Sequence, residues 1–176
     1  MNLYRNLKRH NYSKIKSILL LFYCLFGNIG CSQDTIPEVL SLYNSQSVPY
    51  ITVEELHNKK NVILLDAREE KEHSVSHIPG AKYVGYENFD SNKVTTMVKD
   101  KNATLVVYCS IGVRSEKIGE KLLKMGYTNV YNLYGGIFEW KNKGYDVVDI
   151  NDNKTEKVHA YSEGWSKYLT SGIKIY

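Results

Sequence analysis

Cys109 is the residue of this sequence best suited to covalent chemistry. An apolar run, residues 105–108, ends directly before it, and Arg114 follows five positions later. The short segment between them contains Gly112. A thiolate becomes a good nucleophile where positive charge lowers its pKa, and an arginine supplies a permanent charge with a geometry that suits anions. The spacing therefore predicts a nucleophilic cysteine in an anion-binding loop.

The elements on either side of this loop give it these properties. Residues 103–109 are typical of a buried parallel strand, and residues 115–125 have a helical pattern that begins just after Arg114. Ligands bind beyond the carboxyl ends of parallel strands, where free N–H groups of the loop and of the helix N-terminus converge. Gly112 permits a backbone angle that most residues avoid. Such a nest of N–H groups binds anions and lowers the pKa of Cys109.

The length of the loop indicates which anion it holds. Four residues separate Cys109 from Arg114, whereas cysteine phosphatases use a longer loop. A shorter ring of N–H groups closes on a smaller object, and a persulfide sulfur is smaller and less charged than a phosphoryl group. Each hydrogen bond to a charged sulfur contributes about 1.5–3 kcal/mol. Several such bonds favour a persulfide on Cys109.

Strand and helix patterns alternate through the middle of the chain. This alternation predicts an α/β fold with a small central parallel sheet and helices on both faces, spanning residues 49–149. Thr52, followed three residues later by Glu55, predicts the start of a helix. The apolar runs that predict strands are residues 61–67, 81–84, 103–109 and 129–133.

The N-terminal segment, residues 1–30, has the features of a signal peptide. It contains five basic residues and no acidic one, and an uncharged stretch, residues 17–33, follows the basic part. That stretch is shorter than the roughly 20 apolar residues of a membrane-spanning helix. The sequence NIGC, which ends at Cys31, resembles a bacterial lipoprotein signal but departs from it at Asn28. We expect a lipidated Cys31 and a protein of the cell envelope outside the cytoplasm. An uncleaved N-terminal anchor is the alternative.

The charge and cysteine content of residues 31–176 restrict which ligands and disulfides can be expected. The whole chain carries a formal charge of +4 and residues 1–30 carry +5, so the remainder carries −1. This balance gives no electrostatic reason to expect nucleic-acid binding. Removal of Cys24 with the signal and lipidation of Cys31 leave Cys109 without an intramolecular disulfide partner. No ligand spacing typical of a metal site occurs, and we expect no cofactor.

Two segments flank the predicted domain. We expect residues 31–48 to be a tether that includes at most a short helix. Residues 150–176 form a C-terminal extension, which is polar at first and then aromatic. For this extension we expect packing against the domain and no chemistry.

Three segments carry a resemblance to a known family. They are LLDAREEKEHSVSHIPGAKYV, VVYCSIGVRS and LYGGIFEWKNKGY, in this order along the chain. Together they resemble the single-domain rhodaneses, which are sulfurtransferases. The resemblance implies a parallel-sheet α/β fold and a ping-pong reaction without a cofactor. Cys109 would take a sulfane sulfur from a donor such as thiosulfate and pass it to a thiol, to cyanide or to a protein acceptor.

The resemblance also assigns roles to residues. Cys109 corresponds to the catalytic cysteine, and Asp66 with Arg68 corresponds to a pair that supports the fold. His77 is expected to be structural rather than a general base. The residues of the substrate-binding loop are Ser110, Ile111, Gly112, Val113, Arg114 and Ser115. The late signature of the family is matched by Gly135, Gly136 and Trp140, and we expect the two glycines to form a tight turn.

Three positions depart from the family pattern. Ile111 stands where a small residue is common, which makes the mouth of the loop more apolar. Ser110 replaces a basic residue that many members carry, and this weakens the case for thiosulfate as the natural donor. Asp146 replaces a proline that often closes the domain, with a local structural effect expected.

Two other functions remain open from the sequence. One is a cysteine phosphatase or arsenate reductase on the same fold, against which the short loop argues. The other is a non-catalytic rhodanese-like module that carries sulfur or binds a partner, against which the presence of Cys109 argues.

Overall fold

The computed structural model describes residues 35–176, so the predicted signal peptide and Cys31 lie outside the described residues. In chain order, the elements are α1 (Ile36–Tyr43), β1 (Tyr50–Ile51), α2 (Val53–Asn58), β2 (Val62–Asp66), α3 (Glu70–Val75), β3 (Lys82–Tyr83), α4 (Ser91–Met97), β4 (Thr104–Tyr108), α5 (Val113–Lys124), β5 (Asn129–Leu133), α6 (Gly136–Asn142), β6 (Val147–Val148), β7 (Lys154–Thr155), β8 (Lys157–His159), a 3₁₀ helix (Ser166–Tyr168) and β9 (Ile173–Ile175).

A parallel sheet of five strands forms the centre of the molecule. Its strand order is β1-β5-β4-β2-β3, and every neighbouring pair is parallel. The predicted α/β fold with a small parallel sheet is therefore confirmed. β4 is the middle strand, so its carboxyl end opens at the centre of the sheet edge where ligands bind in such folds.

The side chains of β4 alternate between two buried clusters. Leu105 and Val107 belong to the cluster that α4 and α5 cover, whereas Val106 and Tyr108 belong to the cluster that α2 and α6 cover. All four are fully buried. Burial on both faces is the reason why this strand reads as a continuous apolar run.

The element boundaries agree with the sequence where the local signal is strong. β5 has the predicted bounds, and the predicted Thr52–Glu55 capping box begins α2, with the Glu55 N–H donating to the Thr52 hydroxyl at 3.2 Å. β1 was not predicted, because two residues are too short to show an alternating pattern. α5 begins at Val113, two residues earlier than expected, which brings its N-terminus close to Cys109.

The predicted tether contains residues that pack against the domain. Within residues 35–48, helix α1 buries Val39 and Leu40, and Val48 is fully buried. The N–H and hydroxyl groups of Ser47 both donate to the carboxylate of Glu116 on α5, each at 3.0 Å. These contacts attach residues 35–48 to the helix that follows the Cys109 loop.

The C-terminal extension also packs against the domain. Val158, Ala160, Tyr168 and Leu169 are buried in the cluster that α2 and α6 cover. β8 and β9 form a small parallel pair of their own. Across residues 35–176, no helix combines the length and apolar character needed to cross a bilayer.

Candidate active site

The sulfur atom of Cys109 lies among hydrogen-bond donors at the start of α5. Cys109 follows β4 directly and is buried. The N–H of Gly112 donates to the cysteine Sγ at 3.2 Å, and the hydroxyl of Ser115 lies 3.5 Å from it. These groups belong to the loop and to the first turn of α5, whose N-terminus carries a positive partial charge. The arrangement favours a negative charge on sulfur.

The two glycines at the start of α6 hold the loop from behind. The N–H of Ile137 donates to the Cys109 carbonyl at 2.9 Å, and the N–H of Phe138 donates to the Ser110 carbonyl at 3.1 Å. Gly136 has a φ of +55°, and a Cβ at this position would overlap the Cys109 carbonyl oxygen. The Gly-Gly pair therefore allows the close approach that fixes the backbone of Cys109, and the tight turn expected from the sequence is present.

Two asparagines fix Gly112, whose φ is +114°. The amide of Asn132, on β5, donates to the Gly112 carbonyl at 2.8 Å, and the amide of Asn44 does so at 2.9 Å. The Ser115 hydroxyl lies 2.7 Å from Oδ1 of Asn132. Asn132 is buried in the structure. In the sequence it is a polar residue within the strand pattern NVYNL, and this was the signal that pointed to it. Asn44 lies in the predicted tether and gave none.

Arg114 is held by Glu72, a residue of α3 that the sequence analysis did not single out. Nη1 and Nη2 donate to the two carboxylate oxygens of Glu72 at 2.6 and 2.8 Å. Nη2 also lies 3.0 Å from the Ser110 hydroxyl. The guanidinium lies 4.8 Å from the centroid of the Tyr161 ring. Arg114 thus has a fixed position beside the cysteine, and its direct contact with an anionic substrate stays a prediction.

The environment favours the thiolate form of Cys109. Burial raises the pKa of the thiol, but the charge of Arg114 and the hydrogen bonds from Ser115 and Gly112 outweigh that effect, so the pKa lies below its ordinary value. Burial likewise opposes ionisation of Glu72, yet its bonds to Arg114 hold its pKa below the usual range. The site therefore places a sulfur that favours the thiolate form next to a closed ion pair.

A cavity of about 170 Å³ opens over Cys109. Tyr161 and Trp165 come from the C-terminal extension and Tyr43 from α1, so the extension contributes side chains to the cavity lining, whereas only packing against the domain was expected of it. These three residues reach the Cys109 loop from distant parts of the sequence, so local patterns did not reveal them. The residues that line the cavity are Tyr43, Cys109, Ser110, Ile111, Val113, Arg114, Tyr161 and Trp165.

The pair Asp66–Arg68 lies in a separate buried network and does not line the cavity. Arg68 Nη2 lies 2.6 Å from the Asp66 carboxylate and also donates to the Ser76 carbonyl. The hydroxyl of Tyr108, the residue before Cys109, donates to Asp66 at 2.8 Å. The network links the ends of β2 and β4, which is a position suited to supporting the loop.

The other residues singled out from the sequence lie at structural positions. His77 pairs with Val148 through the backbone, and its ring stacks on His73 with 4.2 Å between centroids. The carbonyl of Asp146 accepts a hydrogen bond from the Trp140 indole at 2.8 Å. Within residues 35–176, no group of three or more His, Cys, Asp or Glu side chains is placed to hold a metal ion.

Comparison with known families assigns the fold. The family model described as Rhodanese-like domain matches residues 51–143, which include β2, the HIPGA segment and the Cys109 loop. The chain belongs to the rhodanese-like domain family. The resemblance carried by the three sequence segments is thereby confirmed at the level of the family.

The curated relatives of this chain include a sulfurtransferase and a hydroxylase. The thiosulfate sulfurtransferase GlpE of Coxiella burnetii is 25% identical over 108 residues, which are 61% of this chain and 97% of that protein. The tRNA uridine(34) hydroxylase of Cytophaga hutchinsonii is 31% identical over 87 residues, 48% of this chain. The chain covers only 28% of the hydroxylase's length. Sulfurtransferase relatives are therefore present, at low identity, together with a hydroxylase that contains much more than this domain.

Solved structures show the same fold. A rhodanese-related protein from Thermoplasma volcanium has a TM-score of 0.50 and 27% identity, over 57% of this chain and 97% of that chain. The rhodanese-like domain of an Anabaena protein has a TM-score of 0.52 and 21% identity, over 58% of this chain and 80% of the other. The rhodanese-like fold, with its central parallel sheet, is thus confirmed.

Proposed function

We propose that this protein is a sulfurtransferase that carries sulfane sulfur as a persulfide on Cys109. The observation that carries the proposal is the environment of the Cys109 sulfur. It is a thiol of lowered pKa at the base of a cavity, with the Gly112 N–H 3.2 Å away and the N-terminus of α5 next to it. The similarity to the Coxiella burnetii sulfurtransferase over nearly its full length supports the same activity.

The first half-reaction loads the enzyme. The Cys109 thiolate attacks the terminal sulfane sulfur of the donor, such as thiosulfate, and forms a new S–S bond. The bond between the two donor sulfurs breaks, and its electron pair leaves with sulfite. Cys109 then carries a terminal sulfur with one negative charge. The N–H groups of Gly112 and Ser115, which lower the pKa of the Cys109 thiol, favour negative charge in this loop.

The second half-reaction unloads the enzyme. Cyanide or a thiolate attacks the terminal sulfur of the persulfide, and the leaving group is the Cys109 thiolate. The product is thiocyanate or an organic persulfide, and no external oxidant or reductant is needed. Because the same donors stabilise the leaving thiolate, the lowered pKa of Cys109 favours this step as well.

Sulfur transfer accounts for the site better than the other functions considered. The loop between Cys109 and Arg114 is short for a phosphoryl group, and the bidentate contact with Glu72 engages the arginine that would bind one. The charge of −1 on residues 31–176 gives no support for a tRNA substrate. Only part of the hydroxylase relatives corresponds to this chain.

A turnover assay of the full-length chain tests the proposal. We expect thiocyanate to form from thiosulfate or another sulfane-sulfur donor plus cyanide, and Cys109→Ser to lower the rate by at least about 10³-fold. Circular dichroism and thermal unfolding of the variant provide the control for folding. Turnover that persists in Cys109→Ser would contradict the mechanism, and phosphatase activity without sulfur transfer would favour the phosphatase.

Attachment to a bacterial membrane through a lipid on Cys31 is part of the same proposal. Its support is the basic segment, the short uncharged stretch and the NIGC sequence, all within the first 33 residues. Expressed in a bacterial host, the full chain is expected in the membrane fraction and the Cys31→Ser variant in the soluble fraction. Membrane attachment that persists in Cys31→Ser would instead indicate an uncleaved N-terminal anchor.

A further inference from the structure

Three aromatic side chains surround the mouth of the Cys109 cavity. We call them the aromatic rim: Tyr43, Tyr161 and Trp165. The ring centroids of Tyr43 and Trp165 are 6.0 Å apart, and those of Tyr161 and Trp165 are 6.3 Å apart in an edge-to-face arrangement. The rings belong to α1 and to the C-terminal extension, both outside residues 51–143, which match the family. The rim is thus an addition of this chain to the domain.

Tyr161 adopts an unusual backbone conformation in the rim. Its φ is +67°, and its N–H donates to Nδ1 of His159 at 3.0 Å. A left-handed backbone is uncommon at a residue other than glycine and persists only where the surrounding structure enforces it. The surrounding structure therefore holds the backbone from which the Tyr161 ring extends over Arg114.

The cavity offers little free positive charge to an anion. Arg114 is the one basic side chain among the described residues that line it. Both carboxylate oxygens of Glu72 accept hydrogen bonds from its guanidinium, and the Tyr161 ring covers the guanidinium at 4.8 Å. Next to Cys109, the chain has Ser110 and Ile111 rather than further cations. A small dianion such as thiosulfate gains little in these surroundings, whereas an apolar group can bury surface against the rim.

We infer that the sulfur donor of this enzyme has an apolar organic substituent the size of an aromatic ring, and that Tyr161 and Trp165 determine this preference. The inference rests on the proposed sulfur transfer. A cavity of about 170 Å³ suits such a group, since an apolar cavity of roughly 150 Å³ holds one benzene molecule. With a thiosulfonate, R–SO₂–S⁻, the Cys109 thiolate takes the terminal sulfur and the sulfinate R–SO₂⁻ leaves with the electron pair.

Two thiosulfonates that differ only in the substituent provide the test. The value of kcat/KM is measured for benzenethiosulfonate and methanethiosulfonate with the full-length chain, and each is divided by the rate of the same compound with a free thiol. This division removes intrinsic reactivity. We expect a preference of about 10-fold or more for the benzene compound, as is typical for apolar groups in a pocket.

Variants of the aromatic rim test which side chains cause the preference for benzenethiosulfonate. Trp165→Ala and Tyr161→Ala are each expected to reduce the ratio of the two normalised kcat/KM values to near 1. Tyr161 is 45% exposed, so we expect Tyr161→Ala to fold. This variant therefore keeps the test decisive if Trp165→Ala does not fold. Tyr176→Ala is the matched control, because this tyrosine belongs to the same extension, is exposed and lies outside the cavity lining.

The possible outcomes distinguish a failure of this inference from a failure of the proposed sulfur transfer. Failure of all donors, thiosulfate included, to load Cys109 would contradict sulfur transfer itself. Equal normalised rates for both thiosulfonates would overturn the inference and leave sulfur transfer intact. A preference that persists in both Trp165→Ala and Tyr161→Ala would show that the rim does not determine it.

Discussion

Two arginine–carboxylate pairs with buried carboxylates, Asp66–Arg68 and Glu72–Arg114, have the same chemistry but lie in different surroundings. The first pair is fully buried, and its carboxylate also binds His73 and Tyr108. The second lies at the cavity, where 13% of the Arg114 side chain is exposed and its charge reaches Cys109. Burial alone therefore does not distinguish a pair at the candidate site from a pair inside the fold. What distinguishes Glu72–Arg114 is its contact with the cavity and its effect on the thiol.

The largest expected effect is on stability, from the Asp66–Arg68 pair. In Asp66→Asn, the buried guanidinium of Arg68 loses its carboxylate, and we expect the free energy of unfolding to fall by about 3–5 kcal/mol. Chemical denaturation measures the loss. Asp146→Asn is the matched control, because Asp146 pairs with Lys154 on the surface, where an ion pair contributes little. Equal stability of Asp66→Asn and the wild type would contradict the structural role of the pair.

Acid should reveal the same pair through the pH dependence of stability. Burial opposes ionisation of Asp66, but Arg68 and His73 hold its pKa well below the usual range. The stabilisation is complete above the unfolded value of about 3.9 and is lost as pH falls through the folded pKa. We expect the wild type to lose about 2 kcal/mol more than Asp66→Asn between pH 5 and pH 2. Parallel profiles for the two proteins would contradict this assignment.

The Glu72–Arg114 pair should also affect the reactivity of Cys109. Arg114→Gln removes the positive charge next to Cys109, so the thiol pKa should rise and the rate of alkylation at pH 7 should fall about 10-fold. The pH profile of alkylation by iodoacetamide, a neutral reagent, measures the change. Arg114→Lys retains the charge and should restore part of the rate. An unchanged profile in Arg114→Gln would show that Arg114 does not activate the cysteine.

The sequence predicted the parts of the site that lie close together along the chain. β5, the Thr52–Glu55 capping box and the Cys109 loop were predicted because each rests on a local pattern. Glu72 was missed because it meets Arg114 from 42 positions away, and one glutamate in a charged helix has no distinguishing signal. The aromatic rim was missed for the same reason. Contacts between distant segments depend on how the sheet and the extension pack, and no local pattern encodes them.

Intact-protein mass spectrometry of the full-length chain, before and after incubation with a sulfane-sulfur donor, tests the central claim most directly. If Cys109 carries sulfane sulfur, the mass should rise by roughly 32 Da, one sulfur atom, and cyanide or a thiol should reverse the gain. The gain should be missing in Cys109→Ser. An unchanged mass with thiosulfate and with both thiosulfonates, while Cys109 remains open to alkylation, would contradict the claim that this cysteine carries sulfur.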